Sequence, residues 1–186
     1  IAEIISDYPD IPLIIDPILA SGRGDAFSDI DARTMMMELL FPESLLITPN
    51  SLEARQLVSD EEEPSNLAID ACADRFKKMG CENILITGTH DNTENVINTL
   101  YNSSNQIIPY HWDRLPGSYH GSGCTLTAAI SAYYALGLSI DEAVEEAQHF
   151  TWKTLKNSFK PGMGQLIPNR FFRGNDFEGD GKFTHH

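Results

Sequence analysis

Basic residues are scarce in this 186-residue sequence: 13 Lys and Arg stand against 27 Asp and Glu, a formal charge of −14. That balance disfavours partners such as nucleic-acid backbones and anionic membranes, so no nucleic acid and no membrane are expected. An anionic substrate then needs a local positive site. Cysteine is sparse too. Cys72, Cys81 and Cys124 form no CxxC pair and leave one over from any single disulfide, which fits a reducing, cytoplasmic setting. No run of about 18 apolar residues suggests a membrane span, and the N-terminus has no basic region followed by an apolar core. Also missing are GxxxxGK with a following Ser or Thr, HExxH and GxSxG, which argues against P-loop NTPases, zinc peptidases of that type and α/β-hydrolases. The aromatic residues are not interleaved with basic ones.

What is present is an alternation of short apolar runs with helical segments. "IAEIISDYPD" carries apolar residues at Ile1, Ile4 and Ile5, the spacing of a helix already under way. "IPLIID" is a buried-strand pattern ended by Asp16 and Pro17. "SDIDARTMMMELLF" reads as a helix capped by Ser28 or Asp29. "SLLIT" and "NILIT" repeat the strand pattern, while "NSLEARQLV" and "LAIDACADRFKKMG" read as helices, the latter closed by Gly80. "EEEPSN" is an acidic turn. Strands and helices alternating in this way predict an α/β domain with a mostly parallel sheet. "NVINTLY" and "NQIIPYHW" around "NSSN" predict a β-hairpin at its edge. Two helices follow, Cys124 to about Leu136 and Ile140 to Asn157, the second opened by a Ser139/Glu142 capping box. Beyond Phe159 the chain reads as polar loop.

"HGSGC", residues 120–124, sets glycines and a serine before the first of those helices. Amides at a helix N-terminus lack intrahelical partners and carry about half a positive charge, and Gly121 and Gly123 remove Cβ atoms that would fend off an anion. A thiol in that first turn is favoured as thiolate, which gives Cys124 a chemical reason to take a proton. The competing explanation is tight packing of the helix, which also selects glycine. Cys72 and Cys81 read as structural. In "TPNSLEA", Asn50 and Glu53 are three apart and could face one ligand or a hydrated cation, or could cap a helix. Asp16 ends a strand where open α/β sheets bind ligands, although a solvated loop Asp fits as well. Gly88 is either a turn or a backbone approach to a ligand, and His120 either orients a substrate or makes an ordinary hydrogen bond.

Three segments, "DPILASGRGD", "ITPNSLEA" and "HGSGCTLTAAISAYYALGLSIDEAVEEA", resemble the C-terminal two thirds of hydroxymethylpyrimidine/phosphomethylpyrimidine kinases, in order and at similar separations. "GMGQLIPNRFF" is similar to that family's glycine-rich ending. The resemblance implies a ribokinase-like three-layer α/β/α domain over residues 1–172 with a polar tail, 173–186, and no counterpart of the family's first third. It implies an ATP- and Mg²⁺-dependent kinase of thiamin biosynthesis, its partner a small-molecule substrate, hydroxymethylpyrimidine or its phosphate. Cys124 would be the general base, and the N–H groups of Gly121, Ser122 and Gly123 would stabilise the transferring phosphoryl. Asp16 and Glu53 would hold Mg²⁺, Asn50 would face the phosphates, and Thr87 and Gly88 would line the nucleotide site. Most ribokinase-like enzymes carry Asp where Cys124 stands. Where the family often has Lys-Gly-Gly-His, this chain reads Thr87, Gly88, Thr89 and His90, which removes an expected phosphate-contacting lysine. The alternatives are a pyridoxine or pyridoxal kinase, a catalytically deficient nucleotide-binding module, and an inert fragment. Homo-oligomerisation is left open.

Overall fold

A computed structural model describes residues 1–19, 30–59, 66–91 and 93–172. The Ser28 or Asp29 cap, residues 61–65 of the acidic turn at 61–66 and the 173–186 tail lie outside them. The chain divides into two compact units, Ile1–Arg114 and Leu115–His186.

The first unit contains α1 (Ala2–Ser6), β1 (Leu13–Ile15), α2 (Ile30–Leu39), β2 (Ser44–Ile47), α3 (Ser51–Val58), α4 (Ile69–Lys78), β3 (Ile84–Thr87), β4 (Asn95–Tyr101) and β5 (Ile107–Asp113). Its strands form one sheet in the order β1-β2-β3-β4-β5. β1, β2 and β3 run parallel, as continuous apolar strands buried by crossover helices do. β4 pairs antiparallel with β3 and β5 with β4, so the expected hairpin forms the edge. Its turn is made by Asn102 to Gln106, with Asn105 at φ 60°, a left-handed conformation that asparagine tolerates. The core gathers Ile15, Phe41, Ile47, Leu57, Phe76 and Ile84, with Phe41 and Phe76 edge to face at 5.8 Å. Cys72 and Cys81 are buried here, and desolvation pushes the Cys81 thiol up to about 12, so both are the inert, structural thiols expected.

The second unit is built on α5 (Ser122–Ala135) and α6 (Ile140–Lys156), which pack on each other and bury Leu126, Ile130, Val144 and Ala147. α6 opens with the expected capping box: the Ser139 side chain accepts from the Glu142 N–H, and the Glu142 carboxylate accepts from the Ser139 N–H at 2.9 Å. α5 begins two residues earlier than the sequence pattern predicts. Gly121 takes φ 84° and its carbonyl accepts from Thr125 N–H at 3.0 Å, so Ser122 and Gly123 already lie in the first helical turn. The closing segment also differs from the polar loop expected. Leu166 bridges Tyr119, Ile167 bridges Phe159, and the Asn169 N–H donates to the Thr154 carbonyl at 3.0 Å. Satisfying backbone groups in this way fixes a segment whose sequence has no strand pattern. Among the described residues, no helix is long and apolar enough to cross a membrane.

Candidate functional site

In the first unit the expected residues gather at the C-terminal ends of the parallel strands, where open α/β sheets expose backbone groups to a ligand. Pro49 and Asn50 follow β2, and the Thr87 N–H donates to the Pro49 carbonyl at 3.0 Å, joining Asn50 and Thr87 in an isolated parallel bridge. Asn50 is the N-cap of α3. Its side-chain oxygen accepts from the N–H groups of Leu52 and Glu53, each at 2.9 Å, and Glu53 Oε2 accepts from the Asn50 N–H at 2.8 Å. The pair is therefore a complete capping box, the structural one of the two roles its spacing allowed.

The box does not exhaust Glu53. Burial pushes its carboxyl above the ordinary value; the Asn50 N–H opposes that shift, Asp16 adds like-charge repulsion, and the Leu19 N–H pulls back down. Asp16 and Glu53, 37 residues apart in sequence by subtraction of their numbers, are thus electrostatic neighbours. Two carboxylates within electrostatic reach of one another suit a hydrated divalent cation, since Mg²⁺ commonly keeps several waters and takes one or two carboxylates. Among the described residues, no group of three or more His, Cys, Asp or Glu side chains forms a full protein cage.

Gly88 is held for a packing reason. A Cβ there would meet the Ile97 carbonyl oxygen at 2.3 Å, and its N–H donates to Asn98 Oδ1 at 3.2 Å. It also lines a cavity of about 190 Å³ with Ser51, Asp70, Asp91, Thr99 and Tyr101. That volume is below the roughly 300 Å³ at which ligand pockets begin. Two carboxylates, one accepting from Tyr101 and one from Ser51, make it hostile to phosphate.

In the second unit, Gly121 is the N-cap of α5 and supplies no side-chain cap. Ser122, Gly123 and Cys124 form the first turn, no acidic residue stands in it, and Cys124 is exposed rather than packed in the apolar interior. Amides here point outward at the positive end of a 14-residue helix. The Thr125 hydroxyl donates to the Gly121 carbonyl at 2.7 Å and steadies the left-handed glycine. The His120 N–H donates to the Leu166 carbonyl at 2.9 Å, so its backbone anchors the turn.

Sequence reasoning missed Arg170. Its Nε donates to Thr125 Oγ1 at 3.0 Å, and its terminal nitrogen lies 3.2 Å from where a Gly121 Cβ would stand. The contact spans 45 residues, and no periodicity in "IPNRFF" announces it.

The family described as phosphomethylpyrimidine kinase has a sequence model that matches residues 1–169. The chain belongs to that family. A hydroxymethylpyrimidine/phosphomethylpyrimidine kinase of Bacillus subtilis is 30% identical over 178 residues, covering 92% of this chain and 63% of that relative. One of Synechococcus elongatus is 34% identical over 164 residues, covering 87% and 62%. The chain thus spans somewhat under two thirds of the length of these phosphomethylpyrimidine kinase relatives. The pyridoxal kinase of Staphylococcus aureus, solved in complex with AMP-PCP, superposes with a TM-score of 0.77 at 24% identity, covering 91% of this chain and 64% of that one. This likeness establishes the ribokinase-like α/β fold expected for the phosphomethylpyrimidine kinase family.

Proposed function

We propose that this chain supplies the phosphate-handling part of an ATP-dependent kinase that phosphorylates hydroxymethylpyrimidine and then its monophosphate, in the cytoplasm. The observation that carries the reading is Cys124, exposed in the first turn of a helix whose N-cap is a left-handed glycine, in a chain matched to the family over residues 1–169.

Phosphoryl transfer asks for positioning and charge stabilisation more than for covalent chemistry. The substrate hydroxyl oxygen bonds to the γ-phosphorus while the bond to the β,γ-bridging oxygen breaks, and ADP leaves with that electron pair. Cys124, as thiolate, accepts the hydroxyl proton. Outward amides of Gly121, Ser122 and Gly123 stabilise charge on the phosphoryl in transit. In the first unit, Asn50, Thr87 and Gly88 serve the nucleotide, and Asp16 with Glu53 holds Mg²⁺, largely through water. Bound there, the cation neutralises negative charge on the phosphates.

The test is an ADP-release assay of the full natural protein with ATP and Mg²⁺ and three acceptors: the hydroxymethyl pyrimidine, its monophosphate, and pyridoxal. Turnover of both pyrimidines above pyridoxal is the expected outcome. Preference for pyridoxal transfers the reading to the vitamin B6 alcohols, which the fold likeness to a pyridoxal kinase makes the strongest rival. ATP binding by calorimetry without turnover of any acceptor leaves only a nucleotide-binding module.

A further inference from the structure

We propose that Arg114 is a positioning residue for nucleotide binding: it sets the backbone of the loop after β3, residues 88–93, and so fixes where Thr87 and Gly88 meet ATP. This rests on the kinase reading above. Arg114 directly follows β5, and the pairing of Asn95 with Asp113 brings it to the open end of the β4–β5 hairpin, beside that loop. Three of its five donors are used there on three main-chain oxygens of one short stretch. Nε donates to the Thr93 carbonyl at 2.9 Å, Nη1 to the Thr89 carbonyl at 2.9 Å and Nη2 to the Asp91 carbonyl at 2.8 Å.

The same loop is fastened a second time within the first unit. Asp91 Oδ1 accepts from the Ser51 hydroxyl at 2.9 Å and lies 3.8 Å from Arg55 Nη1. Ser51 is fully buried and follows Asn50, which bridges Thr87. Loop and α3 start are thus registered to one another, by side chain through Asp91 and by backbone through the bridge. The loop sequence, "GTHDNT", offers no apolar side chain to hold it by burial, so hydrogen bonds must do so. An exposed arginine adds little to global stability and loses rotamer freedom when fixed. Its effect here is local: three carbonyls pinned to one planar fork leave the loop few other conformations. Such order has its use at the C-terminal ends of parallel strands, where open α/β sheets receive ligands and a small displacement of the backbone spoils the fit. A loop ordered before the nucleotide arrives also avoids the entropy loss of ordering it on binding.

The plainer role is a surface strut that serves stability alone. Steady-state kinetics and hydrogen exchange on the full natural protein separate the two, with Arg114→Ala and Arg114→Lys. Expected for R114A is a rise in the ATP KM of about five- to twentyfold, the scale of ordering a loop on binding, with kcat and the acceptor KM within about twofold of wild type. Amides of residues 88–93 should exchange faster in R114A, while those of β2 and β3 stay protected. R114K should recover only a small part of the loss, because one ammonium cannot hold three carbonyls as a planar fork does. Where R114A does not fold, the wild-type protein still carries the test: exchange at residues 88–93 should already be slow without nucleotide, and AMP-PCP should slow it little further. An R114A ATP KM within about twofold of wild type, equal rises in both KM values, full rescue by R114K, or a wild-type loop that exchanges freely until AMP-PCP binds would each overturn the proposal while leaving the kinase reading intact. A wild-type protein that neither binds nor turns over ATP removes both.

Discussion

The N-termini of α3 and α5 solve the same physical problem in opposite ways. Each begins with amides that have no carbonyl in their own helix. α3 satisfies them with its own side chains, Asn50 and Glu53, and brings a carboxylate to the positive end. α5 offers glycine, no side-chain cap and no acid in the first turn, and has Arg170 beside it. One helix end is closed and self-neutralised; the other is open and more positive than its dipole alone makes it. The absence of a cap is not decisive by itself, because α4 starts at Ala68 with no side-chain cap either. There, however, Asp70 stands in the first turn and repels an incoming anion. What distinguishes α5 is the combination of an uncapped end with a cation in place of an acid.

The contrast can be broken experimentally. The largest effect is expected from Cys124→Ala in the full natural protein: loss of a positioned base should lower kcat by about 10²- to 10⁴-fold, with ATP affinity by calorimetry little changed. Equal turnover would remove Cys124 from the chemistry. Gly121→Ala tests the backbone. With φ at 84°, any L-residue there should cost about 1–2 kcal/mol in urea unfolding and weaken AMP-PCP binding, whereas an unchanged midpoint would mean the turn relaxes freely.

At the closed end, Asn50→Ala should cost about 1 kcal/mol of stability through the lost cap. A loss of nucleotide affinity larger than that stability change would give Asn50 a ligand role beyond α3. The smallest effect concerns Glu53, whose folded carboxyl is raised above its ordinary 4.5. The folded state therefore holds that proton more tightly than the unfolded state. Its contribution is full below the ordinary carboxylate range and is lost as pH rises through the raised value. Glu53→Gln keeps a capping side chain without the charge, so its stability relative to wild type should improve as pH rises from the ordinary carboxylate range through the raised value. A flat difference across that range would mean that burial and Asp16 impose no net cost on the charged form.

Sequence alone determined the elements. Apolar runs of four or five residues gave buried strands, and Ser139 with Glu142, Gly80 and Gly137 marked helix ends because capping and left-handed turns depend on neighbours in the chain. The hairpin was legible for the same reason. The exposed first-turn position of Cys124 was also readable, since glycines before an apolar segment imply an open helix start. Tertiary structure alone decided which contacts each of these residues makes. The capping role of Asn50 and Glu53, the packing role of Gly88 against Ile97, the approach of Asp16 to Glu53, and Arg170 over Gly121 all depend on contacts between segments distant in sequence or on the orientation of one side chain. Residue spacing encodes what lies within a few positions along the backbone. Charge and steric exclusion act through space, and only the folded chain brings those groups within reach of one another.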